Sequence, residues 1–128
     1  MIHRHVEPAF QDQRGAIADV LEGEPVEHVT IIDSAPGAVR GNHFHRETNQ
    51  WVYVLRGALH YVVEGPDGER EQGTVRPGDL LMTGPMEKHA MEALEPSSMV
   101  VLTRGPRGGR KYETDTYRLD EPLIPTSA

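Results

Sequence analysis

No window of about 12 residues in this chain keeps a helical apolar period free of glycine or proline; the apolar positions fall into short runs separated by turn signals. The runs predict strands over Ile17 to Leu21, Val26 to Asp33, Trp51 to Leu55, Ala58 to Glu64, Glu69 to Val75 and Asp79 to Met82. Three more are predicted over Lys88 to Leu94, Met99 to Thr103 and Tyr112 to Leu119. Between them stand Ala35-Pro36-Gly37, Arg56-Gly57, Gly65-Pro66-Asp67-Gly68 and Arg76-Pro77-Gly78-Asp79, residues that favour turn backbone. Short strands at this spacing predict an all-β fold, an antiparallel sandwich or barrel.

Taking Arg56-Gly57 as a two-residue hairpin turn pairs Leu55 with Ala58, Val54 with Leu59, Val52 with Tyr61 and Gln50 with Val63. One face of that hairpin carries Gln50, Val52, Val54, Leu59, Tyr61 and Val63; the other carries Trp51, Tyr53, Leu55, Ala58, His60 and Val62. Gln50 is the odd member of an aliphatic face. An unpaired buried amide costs about 1–3 kcal/mol, so a metal, a ligand or a backbone group is expected to meet it.

Composition narrows the class. The chain has 128 residues, 37% hydrophobic and 26% charged, the size of one ordinary domain. Residues 1–121 are expected to form it, with 122–128 a loose tail. The longest apolar runs, Trp51 to Leu55 and Leu80 to Met82, are too short to cross a bilayer, and no stretch reads as a secretory signal. With no cysteine there are no disulfides, thiolate nucleophiles or zinc-thiolate sites, and a cytoplasmic location is expected. A net charge of -7 argues against a nucleic-acid partner. The local basic group Arg104, Arg107, Arg110 and Lys111 reads as a solvated loop or, alternatively, a small anion-binding patch.

The chemistry lies in the histidines. His43 and His45 stand two apart, so on a strand both point to one side and can reach a common ion. His3 and His5 share the spacing but are expected to be frayed and solvated near the N-terminus, and His28 is read as an ordinary strand residue. A metal-free reading, with the pair acting as acid and base or as binding groups, stays open.

The order Gly37, His43, His45, Gln50, Gly57, then Pro77-Gly78-Asp79 and His89, resembles the two motifs of the cupin superfamily over roughly residues 37 to 93. Gln50 occupies the motif's acidic position. The second motif departs from the pattern, with Gly84-Pro85 and Met86 where its later proline and glycine fall and Ala93 in place of its asparagine. The resemblance implies a double-stranded β-helix (jelly-roll) barrel of antiparallel strands. It also implies one divalent transition metal ion (Zn, Fe, Mn, Ni or Cu) on His43, His45, Gln50 and His89. Glu47 fits the spacing less well than Gln50. His60, on the opposite hairpin face, is excluded.

Flanking sequence is similar to cupins that modify nucleotide-linked sugars: Asp12-Gln13-Arg14-Gly15, Val39-Arg40-Gly41-Asn42-His43-Phe44-His45, and Tyr112 to Arg118. That similarity implies a ketoisomerase or epimerase with His43 or His45 as acid/base and Arg40 holding the substrate. A histidine bound to a metal cannot also carry a proton, which brings in Tyr61 as a candidate on the Gln50 face. The leading expectation is a metal-binding cupin that isomerises or epimerises a keto-sugar or similar small carbonyl compound by enolisation. Alternatives are a metal-dependent dioxygenase of a chelating substrate and a non-enzymatic small-molecule binding module. A small-molecule substrate, no membrane partner and a homodimer paired through edge strands complete the expectation.

Overall fold

In the computed structural model, residues 1–106 and 114–126 are described, and among them twelve strands are found. These are β1 (Ile2–His5), β2 (Phe10–Asp12), β3 (Gly15–Ile17), β4 (His28–Ser34), β5 (Val39–Phe44) and β6 (Asn49–Arg56). They continue with β7 (Leu59–Glu64), β8 (Arg70–Val75), β9 (Asp79–Thr83), β10 (Lys88–Ala93), β11 (Ser97–Arg104) and β12 (Tyr117–Arg118). One five-stranded sheet runs β1-β9-β6-β11-β4 and the other β12-β5-β10-β7-β8, with β2-β3 a separate ribbon. Every pairing is antiparallel. From β4 onward the chain crosses between the two large sheets at almost every turn, giving the jelly roll that the sequence implied.

Residues of alternating parity meet between the sheets. Val52, Val54, Leu59, Tyr61, Val63, Val75, Leu81, Met91, Met99 and Val101 form one apolar core. β11 alternates buried and partly exposed along its whole length, as a half-covered strand should. β6 is buried on both faces because Trp51 and Tyr53, pointing outward, are covered by Val6, Val20, Leu21 and Leu80. Each fully buried aliphatic side chain here stabilises by roughly 1.5–3 kcal/mol.

The expected β6–β7 hairpin does not exist: β6 pairs with β9 and β11, and β7 pairs with β8 and β10. Gly57, at φ 87°, turns the chain from one sheet into the other, and a Cβ there would collide with Ser97 Oγ and the Pro96 carbonyl. The grouping of Val52, Val54, Leu59, Tyr61 and Val63 on one face nonetheless holds, because the corner preserves the parity that a tight turn would have given, and the structure turns this face, which the sequence left undecided, toward the core. The strand expected over Ile17 to Leu21 ends at Ile17; Val20 and Leu21 pack instead as loop residues against the Trp51 cluster. β1, β2 and β5 were not expected, and of Tyr112 to Leu119 only Tyr117–Arg118 forms a strand, Tyr112 lying outside the described residues. The tail expected from residue 122 is tied down in part. Asn42 Oδ1 accepts from the Leu123 and Ile124 amides, Asn42 Nδ2 donates to the Ile124 carbonyl, and Ile124 is buried on Val62 and Ala90.

Candidate functional site

β5 brings the first histidine inward by breaking its own alternation. Gly41 and Asn42 both have positive φ, 90° and 57°, and pairing with β10 slips here: His89 faces His43, while Ala90 faces Gly41. The extra residue, Asn42, is a bulge. It turns its side chain outward to the Leu123–Ile124 segment and lets both Arg40 and His43 face the cavity, three positions apart. Only glycine fits at 41, because a Cβ there would lie 2.7 Å from the His89 carbonyl oxygen.

His45, just past β5, and His89, on β10, complete a triad. The ring centroids of His43, His45 and His89 lie 4.7–5.1 Å apart, and one nitrogen from each falls within 4.8 Å of the others. His45 and His89 are buried; His43 is the most open. His45 Nδ1 donates to the Asp115 carbonyl at 2.8 Å and His89 Nδ1 to the Glu87 carbonyl at 3.0 Å. A carbonyl only accepts, so Nδ1 carries the hydrogen in both rings, and in the neutral form Nε2 is the basic atom each offers to the cluster.

The turn after β5 is built around Asp115. Its carboxylate accepts from the amides of Arg46, Glu47 and Thr48 at 3.0 Å each and from the Thr48 hydroxyl at 2.8 Å. Burial raises the Asp115 pKa, but these hydrogen bonds outweigh it and hold the carboxyl below the ordinary aspartate value. The same residue therefore fixes the loop with its side chain and the His45 ring with its backbone. Glu47 is exposed at this turn.

Gln50 arrives from the opposite sheet and lines the same small cavity, about 40 Å³, with Arg40, His43, His89, Met91 and Val101. Its Oε1 is buried without a hydrogen-bond partner among the described residues. A cavity of this size holds an ion or a water or two; a sugar ring must sit at its mouth. The donor set fits a divalent metal: two imidazoles presenting Nε2 by fixed tautomer, a third beside them, and a neutral oxygen in need of a partner. Arg40 donates to Ser34 Oγ (3.3 Å) and the Asp33 carbonyl (3.0 Å), and part of the residue lines the cavity.

The structure thus gathers His43, His45, His89, Gln50 and Arg40, and leaves Tyr61 apart. The Tyr61 hydroxyl meets His3 Nδ1 at 3.0 Å, near Asp79, at the β1 edge. Burial, with Glu71 and Asp79 nearby, pushes its pKa up. His3 and His5 are not frayed: they sit on β1 and bond Asp79 at 3.3 and 2.9 Å. His60 points away and bonds Gln72. Of the basic group, Arg104 pairs with Glu24 and lies over Trp51; Arg107, Arg110 and Lys111 are outside the described residues. A larger groove of about 610 Å³, beside Trp51 and Leu80, holds none of the triad. Asp115 was missed, since a lone aspartate in a polar segment carries no signal of burial.

The family model described as Cupin domain matches residues 30–103. No curated protein matches the chain significantly. Three solved structures are similar. A double mutant of the 3,4-ketoisomerase QdtA from Thermoanaerobacterium thermosaccharolyticum, in complex with TDP, has 24% identity and a TM-score of 0.73 over 92% of this chain and 86% of that one. Another mutant of that enzyme, in complex with TDP-4-keto-6-deoxyglucose, has 21% identity and a TM-score of 0.73 over 92% and 86%. The dTDP-4-dehydrorhamnose 3,5-epimerase from Sulfolobus tokodaii has 20% identity and a TM-score of 0.71 over 89% and 77%. At these identities the likeness is one of fold.

Proposed function

The chain belongs to the cupin family, and from that premise we propose that it is a sugar ketoisomerase or epimerase acting on a nucleotide-linked keto-sugar by enolisation. The carrying observation is the triad at the barrel mouth: three ring nitrogens within 4.8 Å, two of them in a tautomer that leaves Nε2 basic. Enolisation needs a base that takes the proton next to a carbonyl and a donor that protonates the carbonyl oxygen; the proton then returns to a neighbouring carbon or to the opposite face. His43, which lines the cavity together with Arg40, is the group placed to exchange that proton with a substrate at the mouth, and Arg40 is placed to hold the substrate's oxygens. The neighbouring folds that carry TDP-linked ligands support the substrate class.

In a metal form of the site, a divalent ion on His43, His45, His89 and Gln50 would supply Lewis acidity toward a carbonyl or enolate oxygen, and His43, as a ligand, would no longer be the proton carrier. The Asp115 and Glu87 carbonyls orient the His45 and His89 rings for such an ion, and Gln50 Oε1 would gain the partner it lacks. Elemental analysis of the purified protein separates the metal from the metal-free form of this reading. Incubation with TDP-4-keto-6-deoxyglucose in heavy water tests the reaction itself. Deuterium incorporation into the sugar is expected, and a sugar recovered with all its carbon-bound protons refutes enolisation.

The homodimer remains an expectation. β4 is the terminal strand of its sheet, and outside it Val29 and Ile31 are exposed beside Val100 and Leu102. Sedimentation at micromolar concentration checks it.

A further inference from the structure

The segment from Asp115 to Ile124 runs beside β5 and holds it on both sides of His43. The Asp115 carbonyl takes the His45 Nδ1 hydrogen at 2.8 Å. Tyr117 and Arg118 pair with Phe44 and His43 as β12, and Tyr117 stacks on Phe44 with ring centroids 5.3 Å apart. Beyond that short strand the Leu119 amide donates to the Asn42 carbonyl at 3.0 Å. The Asn42 side chain then stands in for a peptide group: Oδ1 accepts from the Leu123 and Ile124 amides at 2.8 and 3.1 Å, and Nδ2 donates to the Ile124 carbonyl at 2.9 Å. Ile124, 6% exposed, closes over Val62 and Ala90 with Val39 beside it.

These contacts bear on which side of β5 carries His43. Val39 faces outward and Arg40 lines the cavity. Strict alternation from there would turn Asn42 inward and His43 outward. The bulge makes Gly41 and Asn42 share one outward position, which returns His43 to the cavity. Gly41 permits this backbone without demanding it, and Asn42 at φ 57° sits where L-residues are uncommon. Turned inward, Asn42 would give up all three side-chain bonds to the segment. Holding Asn42 outside therefore holds His43 inside.

We infer that Asn42 is a positioning residue for the triad, and that residues 119–124 form a strap whose grip on Asn42 sets His43 in the cavity. Asn42 acts from the outer face, through the backbone it shares with His43. The other end of the same segment holds the His45 ring directly. This inference rests on the role proposed for His43 above and adds what places it.

Asn42→Gly tests the strap, because glycine adopts φ 57° without strain and removes only the three side-chain bonds. Ile124→Ala loosens it from a point 82 residues away and leaves Asn42 in place. Ser97→Ala is the structural control, losing hydroxyl bonds to the Glu95 and Ala58 carbonyls at the Gly57 corner. Amide hydrogen exchange and histidine-ring nitrogen–proton NMR spectra of the metal-free, ligand-free proteins are read together. In both strap variants the amides of residues 123 and 124 are expected to lose protection about ten-fold or more. The His43 ring signals are expected to shift or broaden, while those of His5, bonded to Asp79 on the other sheet, stay as in wild type. Deuterium exchange into TDP-4-keto-6-deoxyglucose is expected to fall about ten-fold or more in kcat, with KM changed less. Ser97→Ala is expected to lower Tm and leave the His43 signals in place. Unchanged His43 signals in a variant whose 123 and 124 amides have lost protection overturn the inference. So do amides that stay protected in Asn42→Gly, or an equal His43 shift in Ser97→Ala. Wild type that leaves the sugar unexchanged defeats the proposed function instead, and the ring spectra still decide what places His43.

Discussion

Replacing Asp115 by asparagine tests the link between the closing segment and the triad. The two carboxylate oxygens accept four hydrogen bonds: Oδ1 from the Arg46 amide, and Oδ2 from the Glu47 amide, the Thr48 amide and the Thr48 hydroxyl. Asparagine has one oxygen. Its better placement is at Oδ2, which keeps three bonds in weaker, uncharged form and turns the amide NH2 against the Arg46 N–H. A hydrogen bond to a charged group contributes about 1.5–3 kcal/mol, so losing one and weakening three costs about 2–4 kcal/mol. For a chain of this size that lowers Tm by on the order of 10 °C. Because the folded-state pKa of Asp115 is depressed, its contribution is fully present above the unfolded aspartate value and is lost as pH falls through the folded value. Circular-dichroism melts at pH 7 should show the full gap between wild type and Asp115→Asn, and melts in acid, below the ordinary aspartate pKa, should show it closing. The same substitution loosens the turn that carries His45, so affinity for zinc, read by competition with a chromophoric chelator, should fall about ten-fold or more. An Asp115→Asn protein that melts within about 2 °C of wild type at neutral pH refutes the ledger, and unchanged zinc binding refutes the positioning role.

Gly41→Ala forces an L-residue into φ 90° and sets a Cβ against the His89 carbonyl, so a loss of about 2–4 kcal/mol in urea unfolding is expected, and a loss under about 1 kcal/mol would mean the bulge relaxes freely. Burial raises the Asp79 pKa, but the Arg76 amide, His5 and His3 outweigh it and hold the carboxyl low; Asp79→Asn should therefore cost about 0.5–1.5 kcal/mol at pH 6 and nothing once the pH is below the folded value, as thermal melts in the two buffers will show. His89→Ala should lower the stoichiometry of bound divalent metal while leaving the barrel folded by circular dichroism, and metal retained at the wild-type level would remove His89 from the ligand set.

Most of the barrel was legible because its long strands carry their burial in their own residues. β6, β7, β9, β10 and β11 each combine aliphatic positions at period two with flanking turn residues, so their existence followed from pattern alone. β1 and β5 did not follow, because Ile2–His5 and Val39–Phe44 have little apolar content and are held by register with β9 and β10, which only the fold supplies. The hairpin at Gly57 failed for a different reason: a glycine after a strand signals a turn, and the sequence does not say whether the next strand returns to the same sheet. The division of its residues into two faces still held, since side-chain alternation depends on parity and not on the identity of the partner strand, but which face lines the barrel was not legible.

The same distinction governs the candidate site. The i, i+2 spacing of His43 and His45 fixes their common side relative to each other, but not whether that side is the cavity. Alternation counted from Val39, which packs outward on Val62 and Ile124, would have put His43 outside. The bulge at Gly41-Asn42 reverses that, and it is visible only in the slip between His89–His43 and Ala90–Gly41. The glycine before the histidine pair therefore serves as a parity switch, needed for its left-handed backbone and for the close approach of the His89 carbonyl. It also explains why Arg40 and His43, three apart on one strand, both face the cavity. Asp115 stayed out of sight for a related reason: it acquires its role from residues far along the chain that the jelly roll sets directly beside it.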